Sequence, residues 1–124
     1  MDAAPLDGFV AEDGGRPVGL LTYADAGEEV EVVTIHVEAE GRGAGRALMD
    51  AIRARAESVG ACRLWLSTTN DNVRAIAFYQ RWGMDLVELR HDAVARSRAV
   101  KPSIPLVSDG IPVRHELVFE VRLR

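Results

Sequence analysis

Glu29-Val30-Glu31-Val32-Val33-Thr34-Ile35-His36-Val37 leads into Glu40-Gly41-Arg42-Gly43-Ala44-Gly45, and the spacing of apolar residues changes between the two. The first stretch is rich in β-branched residues and apolar on both faces toward its end, which predicts an interior strand. In that strand Glu29 and Glu31 are expected on the side of Val33 and Ile35. From Ala44 onward Leu48, Ala51, Ile52, Ala56 and Val59 fall at helical spacing, while Arg46, Asp50, Arg53, Arg55 and Glu57 take the other face. Gly60 stands where a glycine just past a helix end belongs.

Working outward, Phe9-Val10-Ala11-Glu12 ends at Asp13-Gly14-Gly15, and the apolar run resumes at Val18. That is the pattern of a hairpin, and with the strand after Ala26-Gly27 it predicts a three-stranded antiparallel meander. Downstream, Leu64-Trp65-Leu66 reads as a strand, followed by a polar cluster over residues 67–72. A second helix is expected over about 73–81, stopped by Gly83, and another strand over 84–89. Residues 93–101 have the composition for one or two helical turns, after which Pro102, Pro105 and Pro112 enforce a loop. Leu117, Phe119, Val121 and Leu123 alternate with charged residues, predicting a last strand with one buried face. The expected fold is α/β, a central mixed and mostly antiparallel sheet flanked by helices, in the order β-β-β-α-β-α-β-β. The 124 residues bound it to a single domain spanning 1–124.

Composition narrows the function classes. With 48% hydrophobic and 27% charged residues the chain has an ordinary globular balance. A net charge of −4 argues against general nucleic-acid binding. A lone cysteine, Cys62, fits a reducing cytoplasm. No apolar run reaches the roughly 20 residues of a membrane helix, and Met1-Asp2-Ala3-Ala4-Pro5 lacks the marks of a signal peptide.

The glycine run is a place to hold an anion. First-turn amides of a helix lack internal partners, and the macrodipole adds about half a positive charge there. Glycines at 41, 43 and 45 let backbone approach a ligand, and Arg42 and Arg46 flank them. Neither the Walker loop nor G-x-G-x-x-G is present. Alone, the run also admits the plainer reading of a tight strand-to-helix turn without a ligand.

A second constellation decides between them. Asn72-Val73-Arg74-Ala75-Ile76-Ala77-Phe78-Tyr79-Gln80-Arg81-Trp82-Gly83-Met84, taken with Arg42-Gly43-Ala44-Gly45-Arg46-Ala47-Leu48, resembles the GNAT superfamily of acyl-CoA-dependent N-acetyltransferases. The resemblance implies a loop of Gly41, Arg42, Gly43, Ala44, Gly45 and Arg46 that holds the CoA pyrophosphate by backbone amides. It implies a helix whose Asn72 and Ala75 lie against the pantetheine arm, and Tyr79 as the acid for the departing thiolate. It implies that backbone near Ile35, His36 and Val37 pairs with pantetheine and holds the oxyanion. Met84 stands where the family has Phe, and Glu40 where it has Gln or Arg. Only about eight residues stand before the hairpin, where the family usually has a strand and helices that help build the acceptor site. The expectation is that this wall is absent or comes from another subunit.

The chemistry so implied is transfer of an acetyl group from acetyl-CoA to a primary amine, by direct attack in a ternary complex. At pH 7 only about 1 in 2,500 lysine-like amines is neutral. Glu29 and Glu31 are the candidate bases, against the plainer reading of ordinary strand-end charges. Thr68, Thr69 and Asn70 lie where polar loop residues contact ligands. Phe78, more than Tyr79, is expected to pack helix on sheet. His36, His91 and His115 show no metal-ligand spacing, so no metal is expected. The expected partners are a small-molecule or peptide amine, with neither nucleic acid nor membrane. A homodimer is expected, formed by pairing of the C-terminal strand. The other reading is a non-catalytic acyl-CoA-binding or regulatory module.

Overall fold

A computed structural model describes residues 6–38 and 43–124. Its strands form a six-stranded mixed sheet, in the order β1 (Asp7–Asp13), β2 (Arg16–Asp25), β3 (Glu29–Val37), β4 (Arg63–Thr69), β8 (Glu116–Arg122) and β5 (Asp85–Arg90), with a separate two-stranded pair, β6 (Val107–Ser108) and β7 (Ile111–Pro112). The chain divides into two compact units. One runs to Trp65 and includes Arg122–Arg124; the other is Leu66–Val121.

In the first unit β1 (Asp7–Asp13), β2 (Arg16–Asp25) and β3 (Glu29–Val37) form the expected antiparallel meander. Gly14 and Gly15 turn the first hairpin with φ of 60° and 82°, a region open to glycine at little cost. Helix α1 (Ala44–Ser58) lays Leu48, Met49, Ile52 and Ala56 against Leu21, Tyr23, Val30 and Val32. Gly19 makes that approach possible, because a Cβ there would stand 3.1 Å from Leu48 Cδ1 and 3.3 Å from the His36 carbonyl oxygen. The helix stripe differs from expectation at its end. Val59 is the C-cap, just beyond the last helical residue and exposed, while Met49 is buried in full. Gly60 follows with φ 76°, as its position predicted.

β3 carries an irregularity that the sequence does not announce. Tyr23 pairs with Val32 but Thr22 pairs with Thr34, so Val33 is an extra residue, a β-bulge. Paired residues share a face, and Tyr23, Leu21 and Gly19 face α1. Val32, Ile35 and Val37, their partners, therefore lie on the α1 side. Glu31, Thr34 and His36, opposite Ala24, Thr22 and Leu20, lie on the other. The expectation that Glu29 and Glu31 share a side with Ile35 is thus corrected, because the bulge shifts the alternation by one residue. That outer face also exposes Val10, Leu20 and Val33, so the second half of β3 is apolar without being enclosed on both faces. β4 (Arg63–Thr69) runs parallel to β3 over Glu29↔Arg63, Val30↔Leu64 and Glu31↔Trp65.

The second unit holds the rest of β4, α2 (Val73–Trp82), β5 (Asp85–Arg90), α3 (Ala93–Val100), β6 (Val107–Ser108), β7 (Ile111–Pro112) and most of β8 (Glu116–Arg122). Residues 93–100 form the helical turns foreseen for them. The stretch read as a proline-enforced loop instead contains the β6-β7 hairpin, turned by Asp109 (φ 53°) and Gly110 (φ 76°). Arg98 organises this region: its guanidinium donates to the carbonyls of Ile104 (3.2 Å), Pro105 (3.0 Å) and Val113 (2.7 Å). β8 departs from its expectation. Val118 and Phe119, adjacent and so on opposite faces, are both 0% exposed; β8 is an interior strand of the sheet, and the Tyr79 ring of α2 packs on Phe119. Both of its edges are taken within the chain, so it is not the strand that pairs across subunits.

Candidate active site

The described part of the glycine run forms the start of α1. Gly43 is the N-cap, in the left-handed region at φ 77°, and among the described residues no side chain caps the first-turn amides. No acidic residue sits in that first turn to answer the positive end of the dipole. Ala44 is buried and anchors the turn, and Gly45 follows it. Arg46 is exposed, 4.0 Å from Asp50. Gly41 and Arg42, with Glu40, lie outside the described residues.

On β3, Ile35 and Val37 are half-buried on the α1 side, and His36 is exposed on the outer face. The two carboxylates have different surroundings. Glu29 is engaged by Arg63, Nη1 to Oε1 at 3.3 Å. The Arg63 guanidinium also lies over the Trp65 ring, 5.1 Å from its centroid. Glu31 is half-buried, on the face of Thr34 and His36.

In the second unit Asn72, Ala75 and Tyr79 fall three and four residues apart, which places them on one face of α2. Asn72 is the N-cap but caps no amide with its side chain; its Nδ2 donates to Thr68 Oγ1 at 3.2 Å. Tyr79 is the buried residue of α2, its ring 5.8 Å from Phe119 of β8 and 5.6 Å from Phe78. Packing of helix on sheet therefore belongs to Tyr79 rather than to Phe78. Burial raises the Tyr79 phenol above its ordinary value near 10, so it stays protonated at neutral pH. Gly83, at φ 124°, ends the helix and donates its N–H to the Tyr79 and Gln80 carbonyls.

The chain matches the model of the Acetyltransferase (GNAT) family over residues 2–84. It is 39% identical over 116 residues to the uncharacterized protein YdhI of Bacillus subtilis, covering 92% of this chain and 72% of that one. YxbD of the same organism, also uncharacterized, is 36% identical over 121 residues, 96% and 76% of the two chains. This chain belongs to the GNAT family of acetyltransferases. Among solved structures, a Bacillus subtilis acetyltransferase in complex with CoA superposes with a TM-score of 0.81 at 22% identity, over 93% of this chain and 75% of that one. A GNAT family acetyltransferase from Elizabethkingia anophelis with acetyl-CoA bound gives 0.80 at 18% identity, over 92% and 74%. At those identities the superpositions speak for the GNAT fold.

Two groups in this GNAT chain escaped the sequence reading. Asn70, expected among ligand-contacting residues, is instead a clamp. Its Oδ1 accepts from the amides of Arg114 (2.9 Å) and His115 (2.8 Å), and its Nδ2 donates to the Pro112 carbonyl (2.9 Å). Its side-chain amide is thereby spent on holding the approach to β8. The second group is His91, Asp92 and His115, whose ligand-type atoms lie within 4.8 Å of one another although their spacing gave no sign of it. The two imidazoles stack at 4.8 Å. Internal bonds already account for the cluster. Arg114 donates twice to Asp92 Oδ1, at 3.2 and 3.0 Å, and the Asp92 amide donates to His115 Nδ1 at 2.9 Å. Desolvation works against the Asp92 carboxylate, but the Arg114 hydrogen bond and charge, with the imidazoles, together outweigh it and hold the carboxyl below its ordinary value. With the carboxylate answered by a guanidinium and an imidazole lone pair accepting an amide, the cluster is a clasp between the start of α3 and the approach to β8.

Proposed function

We propose that this GNAT protein transfers the acetyl group of acetyl-CoA to a primary amine of a small molecule or peptide, by direct attack in a ternary complex. The observation that carries the reading is the start of α1, a glycine-led helix terminus that among the described residues has neither a side-chain cap nor a first-turn acid. The CoA and acetyl-CoA named for the fold's solved representatives support reading that anion as the CoA pyrophosphate. In this reading the amides of Gly43, Ala44 and Gly45, with Gly41, Arg42 and Arg46, hold the pyrophosphate. Asn72 and Ala75 lie along the pantetheine arm. Backbone amides about Ile35, His36 and Val37 hold the oxyanion, and Tyr79 protonates the leaving thiolate.

Between the two carboxylates we assign the base to Glu31. Glu29 is occupied by Arg63, whereas Glu31 sits half-buried and among the described residues has no ion-pair partner in the structure. Glu31→Gln is expected to lower kcat/KM by roughly 10–100-fold and to flatten the acid limb of its pH profile. Glu29→Gln is expected to stay within about threefold of wild type. Parallel pH–rate profiles check this, and equal effects from both would remove the distinction.

A non-catalytic acyl-CoA-binding module is the second reading, favoured by the exposed Val10, Leu20 and Val33 on the face that carries Glu31 and His36. Calorimetric titration with acetyl-CoA, followed by thiol release over a panel of amines, separates the two. Binding with release on at least one amine is expected; binding without release on any amine supports the module, and no binding sinks both. No described helix is long and apolar enough to cross a membrane. The lone Cys62 fits a cytoplasmic setting, and we read the protein as a homodimer.

A further inference from the structure

β5 is the end strand of the sheet, paired on one side with β8; among the described residues no strand pairs with its other side. For an edge it is unusually apolar. Leu86, Val87 and Leu89 are 51%, 47% and 56% exposed, and neither proline nor lysine guards the strand. A bare edge of this kind is a template for another strand.

The order of residues along β5 says which strand fits. Leu86 pairs with Phe119 and Glu88 with Val118, so Val87 is an extra residue in a bulge near the middle of the strand. Because of that bulge Leu86 and Leu89, opposite Phe119 and Leu117, share the face of Phe119 that Tyr79 packs on. Asp85, Glu88 and Arg90, opposite Glu120, Val118 and Glu116, share the other face. Asp85-Leu86-Val87-Glu88-Leu89-Arg90 is therefore complementary to its own reverse. Laid antiparallel on a second copy about a two-fold axis between Val87 and Glu88, Leu86 meets Leu89 of the partner subunit on the apolar face. Asp85 meets the partner's Arg90 on the charged face, and each pair occurs twice by symmetry. The bulges oppose one another at the centre, so neither strand loses register. A shift toward pairing Asp85 with the partner's Glu88 sets acid against acid. A shift the other way sets Arg90 against the partner's Val87 and Glu88 against the partner's Leu89. One register matches both apolar and charged positions.

We propose that β5 is the dimerisation edge of this protein and that its occupant is β5 of a second copy, in the register that pairs Asp85 with the partner's Arg90. This deepens the homodimer reading and moves the interface from β8 to β5. It is independent of acetyl transfer, because its readout is mass. Arg90 already reaches Glu88 Oε2 at 3.3 Å and Glu116 Oε1 at 3.6 Å, so its guanidinium is held on the face where the partner's acid would arrive.

Sedimentation of the full chain from about 1 to about 300 μM should show a concentration-dependent dimer, the small area of one strand per copy placing dissociation in the micromolar range. Added salt should weaken it. Asp85→Arg and Arg90→Asp each place like charges opposite one another at both ends and should each weaken the dimer about tenfold or more. An equimolar mixture of the two variants has opposite charges at both ends again, and should recover wild-type association. A wild-type monomer across the range, association indifferent to either substitution, or no recovery on mixing would each overturn the proposal. Circular dichroism confirms that each variant is folded, and the salt series tests the charge pairing in the wild-type chain without any substitution.

Discussion

Gly43→Val is expected to remove measurable acetyl-CoA binding, a loss of at least about a hundredfold by calorimetry. Position 43 is the N-cap of α1 at φ 77°, a conformation costing an ordinary L residue about 1–2 kcal/mol and a β-branched one more. The backbone would leave that region, and the amides that follow would no longer point along one line. Two lost hydrogen bonds to a charged ligand, at roughly 1.5–3 kcal/mol each, account for a hundredfold or more. Packing would not be the cause, since a Cβ at Gly43 meets nothing within 4 Å. Gly14→Val is the matched control. Gly14 has φ 60° and equally open surroundings, but it turns the β1-β2 hairpin. It should show comparable strain in a thermal melt and unchanged affinity. Retained affinity in Gly43→Val would take the phosphate role away from this helix terminus.

Tyr79→Phe is expected to lower kcat by about a hundredfold to a thousandfold while KM for acetyl-CoA stays within about threefold. Phenylalanine keeps the ring against Phe119, so the helix remains seated and the proton is lost. The pH dependence gives a second check. An acid acts while protonated, so activity should fall as pH rises through the phenol's pKa. Burial places that decline above the ordinary value near 10. The variant should lack this alkaline limb. Turnover equal to wild type would leave Tyr79 with a packing role alone.

The legibility of this chain in its sequence varied with the range of the determining interactions. The strand, glycine run and helix over 29–58 were readable because β-branched runs, helical spacing and Gly60 are local signals. The bulge at Val33 was not, since it is fixed by which β2 residues oppose β3. It alone decides which face Glu31 shares. β8 looked amphipathic from its alternation, but Val118 and Phe119 are both buried, since it is an interior strand whose packing partners, such as Tyr79, lie far off in sequence. The β6-β7 hairpin had a local mark, Asp109-Gly110, a dipeptide suited to a tight turn, which the surrounding prolines overshadowed. The Asn70 clamp and the His91, Asp92 and His115 clasp join residues far apart in sequence, so no spacing rule reaches them. Of the candidate site, the placement of the described motif residues on α1 and α2 was legible. The differing surroundings of Glu29 and Glu31 were not, since Arg63 reaches Glu29 from a neighbouring strand.

The insertion of β8 between β4 and β5 sets an order of events during synthesis. Both neighbours leave the ribosome first and cannot join, because the strand that links them has yet to be made. Until residues 116–122 arrive, the nascent chain carries two unsatisfied ladders and an uncovered Tyr79 ring, the kind of surface that recruits chaperones or aggregates. Closing that gap is a long-range step, slow compared with forming α1 or the first hairpin. Late-made Val118 and Phe119 thus act as a keystone, and substitutions there should be felt in soluble yield before they are felt in catalysis.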